Sequence, residues 1–193
     1  MKKVLIIIGI VIVIAVILIG ILYLFVLSGA IFMFNSNPPA PEVIYGEFPF
    51  RLIYEIDGKI KVIEDTIICE FDGFKNMGSA GNYRVWKTYL KSGNEKLTLL
   101  DLRPLEETNE FGQTMLEMFF SYGSGEYYMG DEQRYNHKPE IRDYVEYEYQ
   151  NADGTTGGSS YKADVAYEKY GIRLISWESS PPIENKFEDI KGT

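Results

Sequence analysis

Cysteine and histidine are almost missing from this chain: its 193 residues include one of each, Cys69 and His137. A lone cysteine excludes an intramolecular disulfide. One cysteine and one histidine, far apart in sequence, also leave no ordinary zinc ligand set. An exported domain without disulfides suits a bacterium better than a eukaryotic secretory route, and the chain has no Asn-x-Ser/Thr sequon. Charge is missing too, over one long stretch. From Val4 to Phe34 there is no charged residue, and Ile, Leu and Val dominate.

That apolar run is what the chain has instead. A bilayer core about 30 Å thick needs about 20 apolar helical residues, so the spacing predicts a transmembrane helix with its outer interface over residues 4–34. In lipid an unpaired backbone group costs far more than the weak helix propensity of β-branched residues. Excess length is taken up by tilt or by Ser28 to Phe34 at the outer interface. Lys2 and Lys3 precede the run, and the next basic residue is Arg51. The positive-inside rule therefore places residues 1–3 in the cytoplasm and the rest of the chain outside. The competing reading is a signal peptide cleaved near Ser28-Gly29-Ala30, but signal h-regions are about 7–15 residues long and this run is longer. Leu27-Ser28-Gly29 starts like a lipoprotein box, yet Ala30 stands where the acylated cysteine is required. A GxxxG face for dimerisation is absent. The expectation is a single-pass, uncleaved anchor whose partner is the lipid bilayer through residues 4–34.

Beyond the anchor, 17 Lys and Arg face 28 Asp and Glu, since Lys2 and Lys3 are the only basic residues before Arg51. The outer part thus carries about −11, a charge that repels phosphate backbones and excludes nucleic acid as a ready partner. Its ordinary role is to keep an exported domain in solution; a cation or a basic protein is the functional reading.

Residues 35–45, with Pro38, Pro39 and Pro41, read as a stiff linker. Residues 46–187 read as one acidic, β-rich domain and 188–193 as a polar tail. Asp57-Gly58 between Phe48–Ile56 and Lys59–Phe71 is a hairpin signal, with Phe48, Phe50, Leu52, Tyr54 and Ile56 on the core face. Asp72 to Asn82 reads as a loop. Tyr83–Leu90 and Glu95–Leu102 read as a second hairpin around Ser92-Gly93-Asn94. Arg103–Gln113 includes a helical turn from Pro104, and Thr114–Tyr122 is a strand. Gly123–Arg142 is irregular, Tyr144–Gln150 is a half-exposed strand, and Asn151 onward through the Thr/Gly/Ser run is a flexible connection. Ser160 is a candidate cap for a helix carrying Ala163, Ala166, Tyr167 and Tyr170 on one face and stopped at Gly171. Ile172–Trp177 returns as a strand. The fold class is α+β, strand-dominated: one mostly antiparallel domain with a short helix before its last strand.

Chemistry is sparse. Cys69 shares a face with Ile67 and Phe71 and reads as core. His137 lies between Asp131 and Asp143 among many serines, yet no G-x-S-x-G accompanies it, and a solvated loop histidine is the ordinary case. Glu106, Glu107, Glu110, Asp131, Glu132, Glu146 and Glu148 supply carboxylates for glycoside hydrolysis without singling out two. Asn151-x-Asp153-Gly154 falls short of a calcium loop and fits a hairpin turn. Neither Gly78-Ser79-Ala80-Gly81 nor Gly123-Ser124-Gly125 is followed by the Lys-Ser/Thr of a phosphate loop. Tyr122, Tyr127, Tyr128, Tyr135, Tyr144, Tyr147 and Tyr149 crowd one third of the chain, as a recognition surface or as sheet packing. No catalytic, cofactor-binding or metal residue is assigned, and no cofactor is expected.

Tyr45-Gly46-Glu47-Phe48-Pro49-Phe50, Asp65-Thr66-Ile67-Ile68-Cys69-Glu70, Leu90-Lys91-Ser92-Gly93-Asn94-Glu95, Glu126-Tyr127-Tyr128-Met129-Gly130-Asp131 and Tyr170 to Glu178 together resemble a group of short, single-span membrane proteins of Gram-positive, clostridia-like bacteria with no assigned activity. The resemblance covers most of the outer domain. It implies bacterial origin and a cell-envelope location, and carries over no site residue. The leading expectation is a non-catalytic envelope protein that binds an envelope protein or wall ligand. The alternatives are a tethered hydrolase using carboxylates or His137, and an immunity or inhibitor protein that neutralises a basic toxin.

Overall fold

The computed structural model describes residues 13–26, 37–78, 81–132 and 137–188. The chain divides into two compact units, one of Met1–Ala40, Phe74–Arg84 and Asp189–Thr193, the other of Pro41–Gly73 and Val85–Glu188.

In the first unit, residues 13–26 form a helix, α1. Its Val, Ile, Leu, Tyr and Phe side chains are all 51–75% exposed. At about 1.5 Å per residue this stretch rises about 21 Å, and no helix among the described residues is long and apolar enough to cross a membrane. The rest of the expected span, 4–12 and 27–34, lies outside the described residues, as do 1–3, 35–36 and the tail from 189. The same unit holds a polar knot in which Asn76 Nδ2 donates to Asn82 Oδ1 (2.5 Å) and Asn82 Nδ2 to Asn37 Oδ1 (2.7 Å). Arg84 donates to the Pro39 carbonyl at 2.9 Å.

The second unit is a sandwich of two antiparallel sheets. The strands are β1 (Ala40–Pro41), β2 (Tyr45–Ile56), β3 (Lys59–Asn76), β4 (Asn82–Leu90), β5 (Leu97–Asp101), β6 (Thr114–Phe120), β7 (Tyr144–Gln150), β8 (Thr156–Lys162), β9 (Arg173–Ser179) and β10 (Phe187–Glu188). The first sheet runs β4-β3-β2-β9 and the second β5-β6-β7-β8, with β1 and β10 as a small pair. Asp57 (φ 50°) and Gly58 (φ 72°) both take positive φ, so the β2–β3 turn has the twist its sequence predicts. The expected core face follows: Phe48, Phe50, Leu52 and Tyr54 are at most 7% exposed, each worth about 1.5–3 kcal/mol of burial.

Aromatic contacts join the sheets. Trp177 on β9 packs on Phe50 at 4.8 Å and on Phe120 of the opposite sheet at 4.9 Å. Tyr54 donates to the Leu99 carbonyl across the same gap at 3.3 Å. Helix α2 (Gly125–Tyr128) is a single turn, and α3 (Ala163–Tyr170) carries the chain from β8 back to β9. Gly171 (φ 63°) ends α3 as expected, its N–H bonded to Tyr167 O. Residues 180–186 then lie over α2: Ile183 N–H donates to Tyr128 O, and Asn185 makes paired amide bonds with the backbone of Val43.

Several expectations are corrected. Tyr83–Leu90 and Glu95–Leu102 are not a hairpin: a turn at Gly93 (φ 83°) is present, but β4 pairs in the first sheet and β5 in the second. Alternation told which residues face the core, Leu90 and Leu97 among them, and a sandwich crossing satisfies that as well as a hairpin does. The expected loop 72–82 shrinks, because β3 runs to Asn76. The Thr/Gly/Ser connection is strand β8, joined to β7 by a turn in which Gly154 N–H donates to Asn151 O. Ser160 sits in that strand, so Lys162, not Ser160, precedes the helix. The irregular stretch after Gly123 hides α2, capped by Ser124. The helix expected before the last strand precedes β9, and only the two-residue β10 comes later.

Candidate functional site

Two polar clusters of the sandwich bring sequence-selected residues together. The first lies on the outer face of the second sheet, where Glu117 and Glu148 are register partners on β6 and β7. Lys96 binds both, at 3.1 Å to Glu117 and 2.5 Å to Glu148, and Thr98 donates to Glu117 at 2.6 Å. Burial works against the ammonium charge, but the hydrogen bonds that Lys96 donates to Glu148 and Glu117 outweigh it and raise the Lys96 pKa. Like charges opposite one another on neighbouring strands repel; here a cation seated between them turns repulsion into a clamp. The clamp gives both carboxylates a cationic partner within the sheet. Asp101 and Arg103 pair beside it through two bonds of 2.8 and 2.9 Å. Glu146 stands on the same face opposite Phe119 and Ser160.

The second cluster is at the sandwich rim. His137 Nδ1 accepts from Arg142 at 3.3 Å, and Arg142 also binds Glu140 at 3.1 Å and the Tyr144 hydroxyl. Because Arg142 occupies Nδ1, no carboxylate orients the ring there. The backbone of His137, not its ring, meets a serine: its N–H donates to Ser124 Oγ at 3.0 Å. Asp131 is fully buried elsewhere and accepts from Trp86 Nε1 at 3.0 Å, while Asp143 uses its carbonyl on Ala163. The Ser-His-Asp arrangement weighed from sequence is therefore not assembled. The half-open cleft lined by His137, Arg142, Tyr144 and Glu146 holds about 20 Å³, room for about one water.

Under α2, burial pushes the Cys69 thiol up to about 12, a bond with Thr88 opposing and the Glu126 charge adding. Such a thiol is not a nucleophile near neutrality. Glu126 itself is raised, by burial first and in small part by the neighbouring Asp131 charge, against bonds from its own backbone and Ser124.

The other selected residues scatter. Glu106, Glu110 and Glu132 are exposed and Glu107 is half-buried. Tyr128 and Tyr147 are core, and Tyr147 stacks on Tyr161 at 4.6 Å. Tyr122, Tyr127, Tyr144 and Tyr149 are half-buried, and Tyr135 lies outside the described residues. Sequence reasoning passed over Lys96, Glu117, Trp86 and Arg142. For Glu117 an outward position within an alternating strand was the available signal.

These observations define a strand-dominated α+β protein with two antiparallel sheets. Comparison with protein families, curated proteins and solved structures finds no match for the chain.

Proposed function

We propose that this chain is a membrane-anchored, non-catalytic binding protein of the bacterial envelope. In this reading residues 4–34 are the anchor, the N-terminus is cytoplasmic, and the acidic sandwich faces outward. The observation that carries it is α1, whose apolar side chains are all exposed on every side of the helix. A helix apolar all round requires a nonpolar environment, and a bilayer is the one that its composition fits. The apolar, uncharged sequence continues from Val4 to Phe34 on both sides of α1. Binding rather than catalysis is supported by how the polar groups are engaged, with Glu117 and Glu148 clamped by Lys96 and His137 held by Arg142.

Two measurements test the reading. Carbonate washing of membranes should leave the chain in the pellet, and protease added to intact protoplasts should degrade the sandwich. Release by carbonate, or protection from protease, overturns the anchor or its orientation. Cross-linking in whole cells should then capture an envelope protein or wall fragment on the sandwich; capture of nothing overturns the binding role.

A further inference from the structure

The free edge of the second sheet points to a partner. Strand β8 ends the sheet order β5-β6-β7-β8, and Thr156, Gly158, Ser159, Ser160 and Lys162 on it are exposed. Two bonds at its ends fix which backbone groups face outward. Ala163 N–H donates to Asp143 O and Asn151 N–H donates to Thr155 O, both at 2.8 Å. The register between them is unbroken from Tyr144↔Lys162 to Gln150↔Thr156. Hydrogen-bonded pairs alternate along an antiparallel ladder. Residues 157, 159 and 161 therefore spend their main-chain groups on β7. The N–H and C=O groups of Thr156, Gly158 and Ser160 point away from the sheet.

Exposed edges are normally blunted by charge, proline or a bulge. Strand β5 has a bulge between Thr98 and Leu100, β9 carries Arg173 and Glu178, and β4 carries Arg84 and Lys87. Between Thr156 and Tyr161 there is none of these, and the β7–β8 register has no shift. The side chains at 158 and 160 are also minimal, so an incoming strand meets backbone directly.

We propose that β8 accepts an extended segment of a basic partner protein as a fifth strand, with Lys or Arg at alternate positions beside Gly158 and Ser160. The charge argument selects this occupant. Glu146 is the register partner of Ser160 on the same outer face and has no salt bridge among the described residues, whereas Glu148 beside Gly158 is already held by Lys96, so Glu146 is the carboxylate open to a partner's cation. A strand added to β8 lies about 10 Å from β7, within joint reach of a Lys or Arg and a Glu side chain across the small residues. The chain outside the anchor carries 28 acidic against 17 basic residues, so a second copy brings like charge to the edge and a basic segment opposite charge. The inference rests on the binding role proposed above and names its surface and partner class.

The test uses the full chain in mild detergent with two blocked peptides, one alternating lysine and valine, the other glutamate and valine. Residue-resolved amide exchange should find Thr156, Gly158 and Ser160 fast and residues 157, 159 and 161 slow in the unliganded chain. The lysine peptide should slow the first three and the glutamate peptide should not. Gly158→Pro removes an outward donor and no ladder bond, so it should weaken the lysine peptide by about tenfold. Glu146→Gln should lower its affinity and flatten its salt dependence. Equal binding of both peptides, or lysine-peptide binding that leaves the three amides fast, overturns the proposal. Concentration-dependent protection of these amides without peptide assigns the edge to a second copy and overturns it too. An envelope partner cross-linked away from β8 would sink this inference alone, whereas no captured partner removes the binding role beneath it.

Discussion

The bond between Trp86 Nε1 and Asp131 Oδ2 is the polar contact on which the sandwich should depend most. Asp131 is 0% exposed and Trp86 7%, and the bond is 3.0 Å. A carboxyl group at that depth has little access to water, so losing one of its donors leaves part of its desolvation uncompensated. Trp86→Phe keeps an aromatic ring against Phe71, which packs edge-on at 5.4 Å, but removes the N–H. The hydrogen-bond loss should cost about 1–3 kcal/mol, with a further cost of about 1 kcal/mol for the missing ring volume. Asp131→Asn keeps an acceptor for the indole and should cost less. In a double-mutant cycle read by urea unfolding of the full chain in detergent, the coupling between Trp86→Phe and Asp131→Ala should be about 1–3 kcal/mol. For a chain of this size that corresponds to several degrees in Tm. A coupling below about 0.5 kcal/mol, the level at which independent sites add, would refute the argument that this pair holds the α2 segment to the first sheet.

Glu126 predicts a pH dependence in the same region. Its folded pKa is raised above the ordinary 4.5, so the folded state binds more protons than the unfolded one as pH passes through that window. Its contribution is complete below about 4.5 and is lost as pH rises through the folded pKa. Glu126→Gln should therefore stabilise the protein at neutral pH and lose that advantage in acid; an equal effect at both ends would contradict the assignment. Gly130→Ala should destabilise by about 2–3 kcal/mol, because the residue has φ 62° and an added Cβ would stand 2.4 Å from the Ile183 carbonyl oxygen. A thermal melt unchanged by this substitution would show that residues 180–186 do not lie over α2. Cys69, 0% exposed and with its thiol pushed up to about 12, should alkylate at pH 8 at least about 10³-fold more slowly than in the unfolded chain. Rapid labelling would mean that the core opens locally.

What could be read from the residues was whatever local chemistry decides. Asp57-Gly58 specifies its turn through two positive φ values, and the period-2 pattern of β2 chooses its buried face without reference to any other strand. Gly171 stops α3 because only a residue tolerant of φ 63° ends a helix that way at little cost. Tyr144–Gln150 was legible to the residue, since its tyrosines and acids alternate across a half-buried face. The pairing of β4 and β5 was not, because the alternation that buries Leu90 and Leu97 is the same whether the chain turns back or crosses to a second sheet. The polar clusters were hidden for a related reason. Lys96 meets Glu117 and Glu148, and Trp86 meets Asp131, through contacts 21 to 52 residues apart, and no local pattern announces such partners.

Strand β8 shows the other limit. Thr156-Gly157-Gly158-Ser159-Ser160 has the composition of a linker, with two residues that weaken a strand by lacking side chains. It is a strand because its neighbours supply what it lacks. The Tyr149 ring covers Gly157 so closely that an added Cβ would meet it at 2.6 Å. Tyr161 stacks on Tyr147 at 4.6 Å and meets Tyr170 at a tilt at 5.9 Å. Tyr147 and Tyr149, two of the seven tyrosines that crowd this third of the chain, therefore act here from inside the sheet, fixing a strand that has almost no side chains of its own. In the proposal above, the surface a partner strand meets is the backbone of β8, and Glu146 one strand away supplies the selectivity for basic residues. On that reasoning Gly157→Ala should displace Tyr149 and loosen β8 while leaving β6 and β7 paired. Amide exchange would report the change as faster exchange at 157, 159 and 161 alone. Faster exchange throughout the second sheet would instead mean that β8 is integral to the core, and that its edge is too costly to leave open for a partner.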